Sequence, residues 1–265
     1  MRVTSRLWLS AAIVALVGGL SGCATPPPAS DPAAVAEFQA ANDPLEPTNR
    51  VLYRVNEALD DYLLRPAAIA YRDVFPDPVR NAIHNELNNL STPVKLGNDM
   101  MEGKPRLAGN TFMRFVINTT VGGLGLFDPA SHWGYPDHDT DFGITLAIWG
   151  APEGPFLFLP LLGPSNPRDA AGRGVDIAAD PLGRFGQGAV VTGLNWGHFV
   201  VNVVDARSRV LGDISTIKKT ALDPYATFRS LYRQHRDAQI DDVRSFNQHT
   251  VPAWYPQPPA APTSR

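Results

Sequence analysis

From Phe142 to Pro164 the chain carries one charged residue, Glu153, in a stretch of 23 residues. An apolar run of that length is on the scale of a membrane-crossing helix. Gly150, Pro152, Gly154, Pro155 and Pro160 interrupt it, however. Each proline removes a backbone donor and crowds the preceding turn, so no continuous helix can form. The reading that remains is a bent apolar hairpin, packed in a core or lying along a bilayer interior. At membrane depth, bent backbone survives only where protein or a wet cavity satisfies its polar groups. A second irregular stretch, Gly122-Gly123-Leu124-Gly125-Leu126-Phe127, reads as a glycine-rich apolar loop. It lacks the spacing and the preceding strand of a dinucleotide-binding turn.

The N-terminus has the order of a secretory signal: basic Arg2 and Arg6, then the apolar or small stretch Leu7–Leu20. That stretch is short for a span and suited to a signal-peptide core. It closes on Leu20-Ser21-Gly22-Cys23, a bacterial lipobox whose thiol takes a diacylglycerol before cleavage. Four sections follow: a signal peptide over 1–22, a lipidated tether over 23–42, a helical domain over 43–244 and a Pro-rich disordered tail over 245–265. With Ala24 and no Asp after the cysteine, the sorting convention favours the outer membrane, with the chain lipid-anchored on its periplasmic side.

Composition excludes several classes. Cys23 is the one cysteine, so a disulfide framework and any Cys-rich metal site are ruled out. A formal charge of -3 gives no bulk attraction for nucleic acid. No G-x-S-x-G, phosphate-loop or H-E-x-x-H pattern occurs, and the six histidines form no helical metal pair. Asp137-His138-Asp139-Thr140-Asp141 imitates the start of a calcium loop. Its glycine falls at loop position seven instead of six, and Ile148 stands where a bidentate Glu is needed. No metal, no cofactor and no catalytic residue is expected.

The region between the termini reads mainly as helix. Spacings of three or four predict a helix over Asn49–Leu64, stopped by Pro66. Asp77-Pro78 is a cap followed by a first-turn proline, opening a helix to about Leu90, and a short helix covers Pro93–Met101. Further helices are predicted over Pro105–Asn118, over Ser165–Ala179 with Ser165 as cap, over Trp196–Leu211, and over Pro224–Gln239 after an Asp223 cap. Asp141 is read as the cap of a helix that follows it. Strand-like alternation is weak throughout.

An ordered set of short motifs then carries a resemblance. It begins with Asn42-Asp43-Pro44-Leu45-Glu46-Pro47-x-Asn49-Arg50 and Leu64-Arg65-Pro66-x-Ala68, and continues through Asn88-Asn89-Leu90 and Arg114-Phe115-x-x-Asn118-Thr119-Thr120-x-Gly122-x-x-Gly125. Asp141-Phe142-Gly143, Leu159-Pro160-x-x-Gly163-Pro164-Ser165-x-x-Arg168-Asp169 and Asp223-Pro224-Tyr225 complete it. Over about residues 42 to 236 the chain resembles the MlaA/VacJ family of outer-membrane lipoproteins. Glu86-Leu87 departs from it, where the family often has an aromatic pair.

The resemblance implies a mainly α, ring-like helical domain with an amphipathic central channel. It implies a protein that removes phospholipid misplaced in the outer leaflet and passes it to a periplasmic carrier of the Mla system, beside an outer-membrane porin trimer. A phospholipid with about 30 acyl carbons costs on the order of 25 kcal/mol to expose, at about 0.8 per methylene, so such a protein must supply both an apolar wall and polar groups. Leu124, Leu126, Phe127, Leu157, Leu159 and Leu161 are the candidates for lipid contact, with ordinary core packing as their alternative. Arg65, Arg80, Arg114 and Arg168 are the head-group candidates, with salt bridges to Asp60, Asp141 or Asp169 as theirs. Two other classes stay open: a structural envelope lipoprotein docking on porins without moving lipid, and an envelope hydrolase built on Ser131, His132 or His138.

Overall fold

The structure, a computed structural model, describes residues 23–180 and 189–245. The signal segment 1–22 and the residues after Ser245 lie outside the described residues. The expectation of a mainly helical chain holds, and several boundaries move for identifiable reasons.

The segment read as a tether contains a helix. Ala24 donates to the Pro44 carbonyl at 2.7 Å, and Pro32–Ala41 forms a helix, α1. Asp31 caps it by accepting from the Ala34 N–H at 3.0 Å, Pro32 occupies the first turn, and Asn42 ends it with φ of 45°. Cap, first-turn proline and alanine-rich body are ordinary helix signals. The helix buries none of its residues, so it has no apolar stripe to reveal it by period.

Pro66 does not stop the next helix. α2 (Glu46–Leu59) passes through a π-turn at Asp60–Leu64 into α3 (Arg65–Val74). The Arg65 N–H reaches back to the Asp60 carbonyl, and this wider turn accommodates the proline that a regular helix would reject. Likewise Asp77–Met101 is one helix, α4, with Pro93 inside it. Pro76 takes the cap position, and Asp77 instead pairs with Arg80. α5 (Pro105–Thr120) and the short α6 (Pro129–His132) follow.

The apolar Gly/Pro-rich stretch divides in two. Its first part is α7 (Phe142–Ile148), capped by Asp141, whose carboxylate accepts from Ile144 N–H at 2.9 Å. Its second part is a hairpin, β1 (Leu157–Leu159) against β2 (Gly163–Ser165), antiparallel with Phe158 opposite Pro164. α8 (Pro167–Ala179) is capped by Asn166, which accepts from Asp169 N–H at 2.8 Å, and not by Ser165. α9 spans Ala189–Arg209, α10 Leu211–Thr220 and α11 Pro224–Ser245. Thus the helix predicted over Trp196–Leu211 starts earlier and breaks at Val210, and α10 had no forecast.

The hairpin is strapped to α2 by two asparagines one heptad apart. Asn49 accepts from Phe158 N–H at 2.9 Å and donates to the Phe156 carbonyl at 3.0 Å. Asn56 does the same for Leu161 N–H, at 2.6 Å, and the Leu159 carbonyl, at 2.8 Å. Each amide supplies one donor and one acceptor, so the pair replaces the neighbouring strand that β1 lacks on this side. Beneath it, Tyr53 meets Phe158 edge-on at 5.5 Å and Phe156 meets Tyr225 edge-on at 6.1 Å.

α7 and α8 cross in backbone contact because both carry glycine at the crossing. A Cβ on Gly172 would lie 2.6 Å from the Gly143 Cα. Gly172→Ala is therefore expected to destabilise the domain by about 1–3 kcal/mol, the usual cost of overpacking. A chemical denaturation midpoint equal to that of the native sequence would contradict this close crossing. Among the described residues no helix is long and apolar enough to cross a membrane.

Candidate functional site

Five residues on one face of α4, namely His84, Asn85, Asn88, Asn89 and Thr92, wall a cavity of about 240 Å³. Their spacing of three and four residues puts them in register on a helix. Arg114 and Asn118 of α5 face them, and Asp128 and Asp137 close the sides. The lining is mostly polar. It is amides, two carboxylates, a guanidinium, an imidazole and the Thr92 hydroxyl.

The glycine-rich loop forms the rim. Gly123 and Gly125 have φ of 65° and 97°, and Leu124 shares the left-handed region at 63°. A Cβ on Gly125 would stand 2.6 Å from the Asn89 Cβ, so this turn closes on the cavity wall only with glycine there. Its backbone is tied to α5 by Gly125 N–H to the Asn118 carbonyl at 2.9 Å. The turn pushes its large side chains outward: Leu124 is 73% and Phe127 67% exposed. A second, open groove of about 480 Å³, walled by Val121, Phe127, Pro129 and His132, shares Asn85 and Asp128 with the polar cavity. A polar chamber thus opens beside an apolar trough.

Of the four arginines singled out, only Arg114 lines this cavity. It is buried and fully engaged, donating to Ser131 Oγ at 2.8 Å, the Tyr135 carbonyl at 2.5 Å and Asp128 at 3.0 Å. Burial pushes the Asp128 carboxyl up, but bonds from Ser131, Asn118 and Arg114 outweigh it and hold it below its ordinary value. Arg168 pairs with Asp169 at 3.0 Å, Arg80 pairs with Asp77, and Arg65 is exposed on α3. Asp60 and Asp141, weighed as partners for these arginines, pair instead with Arg207 and Arg236.

Of the six apolar candidates, Leu124, Leu126 and Phe127 are exposed together on the rim. Leu161 is exposed at the hairpin turn, and Leu157 and Leu159 are half-buried along β1. The α4 amides were missed as site residues. Their signal was the polar stripe at 84/85, 88/89 and 92 lying beside the apolar stripe of Ile83, Leu87 and Leu90.

A second polar centre holds the helices that flank the site. Asp99, fully buried, receives His138 Nε2 at 2.8 Å and Thr111 Oγ1 at 2.5 Å. Arg236 of α11 bridges Asp141 at 2.6 Å and Asp169 at 3.1 Å. The calcium-like loop is thus spent on packing, with His138 turned inward. Among the described residues no three His, Cys, Asp or Glu side chains are placed to hold a metal ion.

These carboxylates set the pH response. Asp60, Asp128, Asp169 and Asp223 are held below the ordinary 3.8. For Asp169, burial is outweighed by Tyr232, Arg236 and Arg168. Each binds protons more readily when unfolded, so its stabilisation is complete above 3.8 and lost as pH falls through its lower folded value. Burial raises Asp176 and Glu102 instead, so they disfavour the folded state once ionised and regain stability as pH falls toward 4. The urea midpoint is expected to peak on the acid side of neutrality and to fall below about pH 4. A midpoint that keeps rising through pH 3 would contradict this balance.

Comparison with known proteins agrees with this architecture. The MlaA lipoprotein family model matches residues 41–239. The chain is 34% identical over 229 residues to the intermembrane phospholipid transport system lipoprotein MlaA of Haemophilus influenzae, covering 84% of this chain and 86% of that protein. It is 32% identical over 207 residues to the Escherichia coli protein of the same name, covering 75% and 78%. A solved structure described as "Structural basis for maintenance of bacterial outer membrane lipid asymmetry" superposes with a TM-score of 0.63 at 31% identity, over 75% of this chain and 98% of that one. The chain belongs to the MlaA lipoprotein family.

Proposed function

We propose that this chain is an outer-membrane lipoprotein, held by Cys23 on the periplasmic side, that takes misplaced phospholipid from the outer leaflet and hands it to a periplasmic carrier of the Mla system. In this reading the helices form a ring around an amphipathic channel and stand beside a porin trimer. The observation that carries the reading is the polar cavity under α4 sharing Asn85 and Asp128 with an apolar trough behind the exposed Leu124–Phe127 rim. A phospholipid needs that pairing, with acceptors and donors for its head and a dry wall for its tails. Its tails lose roughly 0.8 kcal/mol per methylene exposed to water, so the trough must follow the head-group chamber without a gap.

In this reading the chemistry is non-covalent. Ser131 Oγ donates to Asp128 at 2.5 Å, while His132 Nδ1 lies on the Asp128 backbone carbonyl at 3.1 Å. The imidazole is therefore not placed to take the serine proton, and this cluster has no activated nucleophile.

The test is complementation. Cells lacking the chain are expected to accumulate phospholipid in the outer leaflet and to lose resistance to detergent. The native sequence should restore both. Asn85→Trp, which fills the space where the cavity meets the trough from a partly exposed position, should restore neither while reaching normal levels in the envelope. Full restoration by Asn85→Trp would remove the cavity from the transport path.

A further inference from the structure

An open groove of about 550 Å³ lies between α4 and α5 and shares no lining residue with the polar cavity. Leu96 and Met100 of α4 and Ala108, Gly109 and Phe112 of α5 line it. Among the described residues, Lys104, in the link between the two helices, is the one charged residue in its wall. Met100 is 68% and Phe112 50% exposed, so large apolar side chains stand uncovered along it.

Gly109 is the informative position. It stands inside α5, where glycine is a poor helix former. A Cβ there would meet nothing within 4 Å. No packing inside the domain requires this glycine, and its bare backbone keeps the groove open.

The chain leaves the described residues beside this groove. α11 ends at Ser245. In its last turn, the Arg244 carbonyl accepts from Lys104 Nζ at 3.3 Å, and Arg244 Nη2 donates to the Ala147 carbonyl at 3.3 Å. Residues 246–264 then carry no Asp, Glu, Lys or Arg, and Val251-Pro252-Ala253-Trp254-Tyr255-Pro256 sets two large aromatic rings between prolines. Proline-rich segments lose little conformational freedom on docking and are recurrent occupants of apolar grooves. Trp254 is nine positions beyond Ser245, a reach of roughly 28 Å at about 3.1 Å per residue in polyproline form. The α5 wall from Pro105 to Phe112 is only about 10 Å long, at about 1.5 Å per residue.

We infer that the segment around Trp254 folds back over the α4–α5 edge and seats its aromatic and proline side chains in this groove, as a strap within one chain. The match is in charge as well as in position. An uncharged segment brings no carboxylate or ammonium against an apolar wall, where an unpaired charge is costly. Seated there, the strap covers the edge where α4 and α5, the two helices that wall the polar cavity, are joined. The inference does not rest on the transport reading.

The test uses the full-length acylated protein in detergent, with the photo-crosslinker benzoylphenylalanine in place of Trp254. Its excited ketone inserts into nearby C–H bonds and favours methionine. On irradiation, adducts within one chain to the stretch 96–112 are expected, at Met100 foremost. Gly109→Leu fills the groove, puts a better helix former into α5 and starts from a Cβ position with open space around it. It should fold and lower that adduct yield at least fivefold. Phe112→Glu, at a half-exposed position, should lower it likewise, and it carries the comparison if Gly109→Leu fails to fold.

Adducts joining two chains would overturn the strap in favour of a second copy on this face. Adducts to detergent or co-purified lipid alone would overturn it in favour of a groove that lies against the bilayer. Adducts elsewhere in the chain, or a yield that neither variant lowers, would overturn it outright.

Discussion

Arg236→Leu is expected to destabilise the domain by about 3–5 kcal/mol, the usual result of breaking a buried ion pair from one side. Folded domains of ordinary size hold about 5–15 kcal/mol in all. Arg236 is 7% exposed and joins α11 to the cap of α7 and the first turn of α8 through Asp141 and Asp169. Its guanidinium stays charged because its bonds to Asp141 and Asp169 outweigh the burial that opposes the charge. Removing it strands the Asp169 carboxylate, itself 8% exposed, with Tyr232, Asn166 and Arg168 as remaining partners. Arg50→Leu is the control. That arginine also pairs twice, with Glu46 and Asp223, but its side chain is 38% exposed and water screens the pairs, so about 1 kcal/mol or less is expected. The denaturation midpoints of the two variants decide the matter. Equal losses would show that burial does not set the value of these bridges.

Cys23→Ala is expected to abolish anchoring through acyl chains outright. No other thiol exists in the chain, so nothing can take the acyl group in its place. Each buried methylene contributes about 0.8 kcal/mol to holding the protein on the bilayer, and the variant loses every chain attached there. Cys23 is exposed, and the neighbouring Ala24 N–H is tied to Pro44, where the chain enters α2. Palmitate label should vanish, the precursor should remain uncleaved, and outer-leaflet phospholipid should accumulate as in cells lacking the chain. Label that persists in the variant would contradict the lipobox reading.

Much of this fold was legible, and the exceptions share a cause. Helices were readable where an apolar stripe repeats, as in α5, and where a side chain caps the start, as Asp141 and Asp223 do. Prolines misled twice. Pro66 and Pro93 both read as helix boundaries from local sterics, yet a π-turn lets the chain pass the first and α4 continues through the second. α1 went unread because it buries nothing and has no periodic stripe.

The site divides the same way. The glycine-rich loop stood out because its composition has no helical use, and its exposed leucines and phenylalanine form the rim. The arginines were a poor guide. Charge alone does not say which partner a guanidinium will find, and Arg114 found protein on every side. The asparagines of α4 were invisible for the opposite reason. A neutral amide is as much at home on a solvated helix face as in a cavity wall, and only the placement of α5 and the Gly122–Phe127 turn tells them apart.

The central claim is that phospholipid occupies the cavity and the trough beside it. A photo-crosslinking amino acid at Asn85, where the two spaces meet, and at Phe127, on the rim, tests this in growing cells. Leu222, fully exposed on the link between α10 and α11, is the reference position. The account predicts phospholipid adducts from positions 85 and 127, with little or none from 222. Adducts absent from 85, or equally abundant at 222, would contradict it.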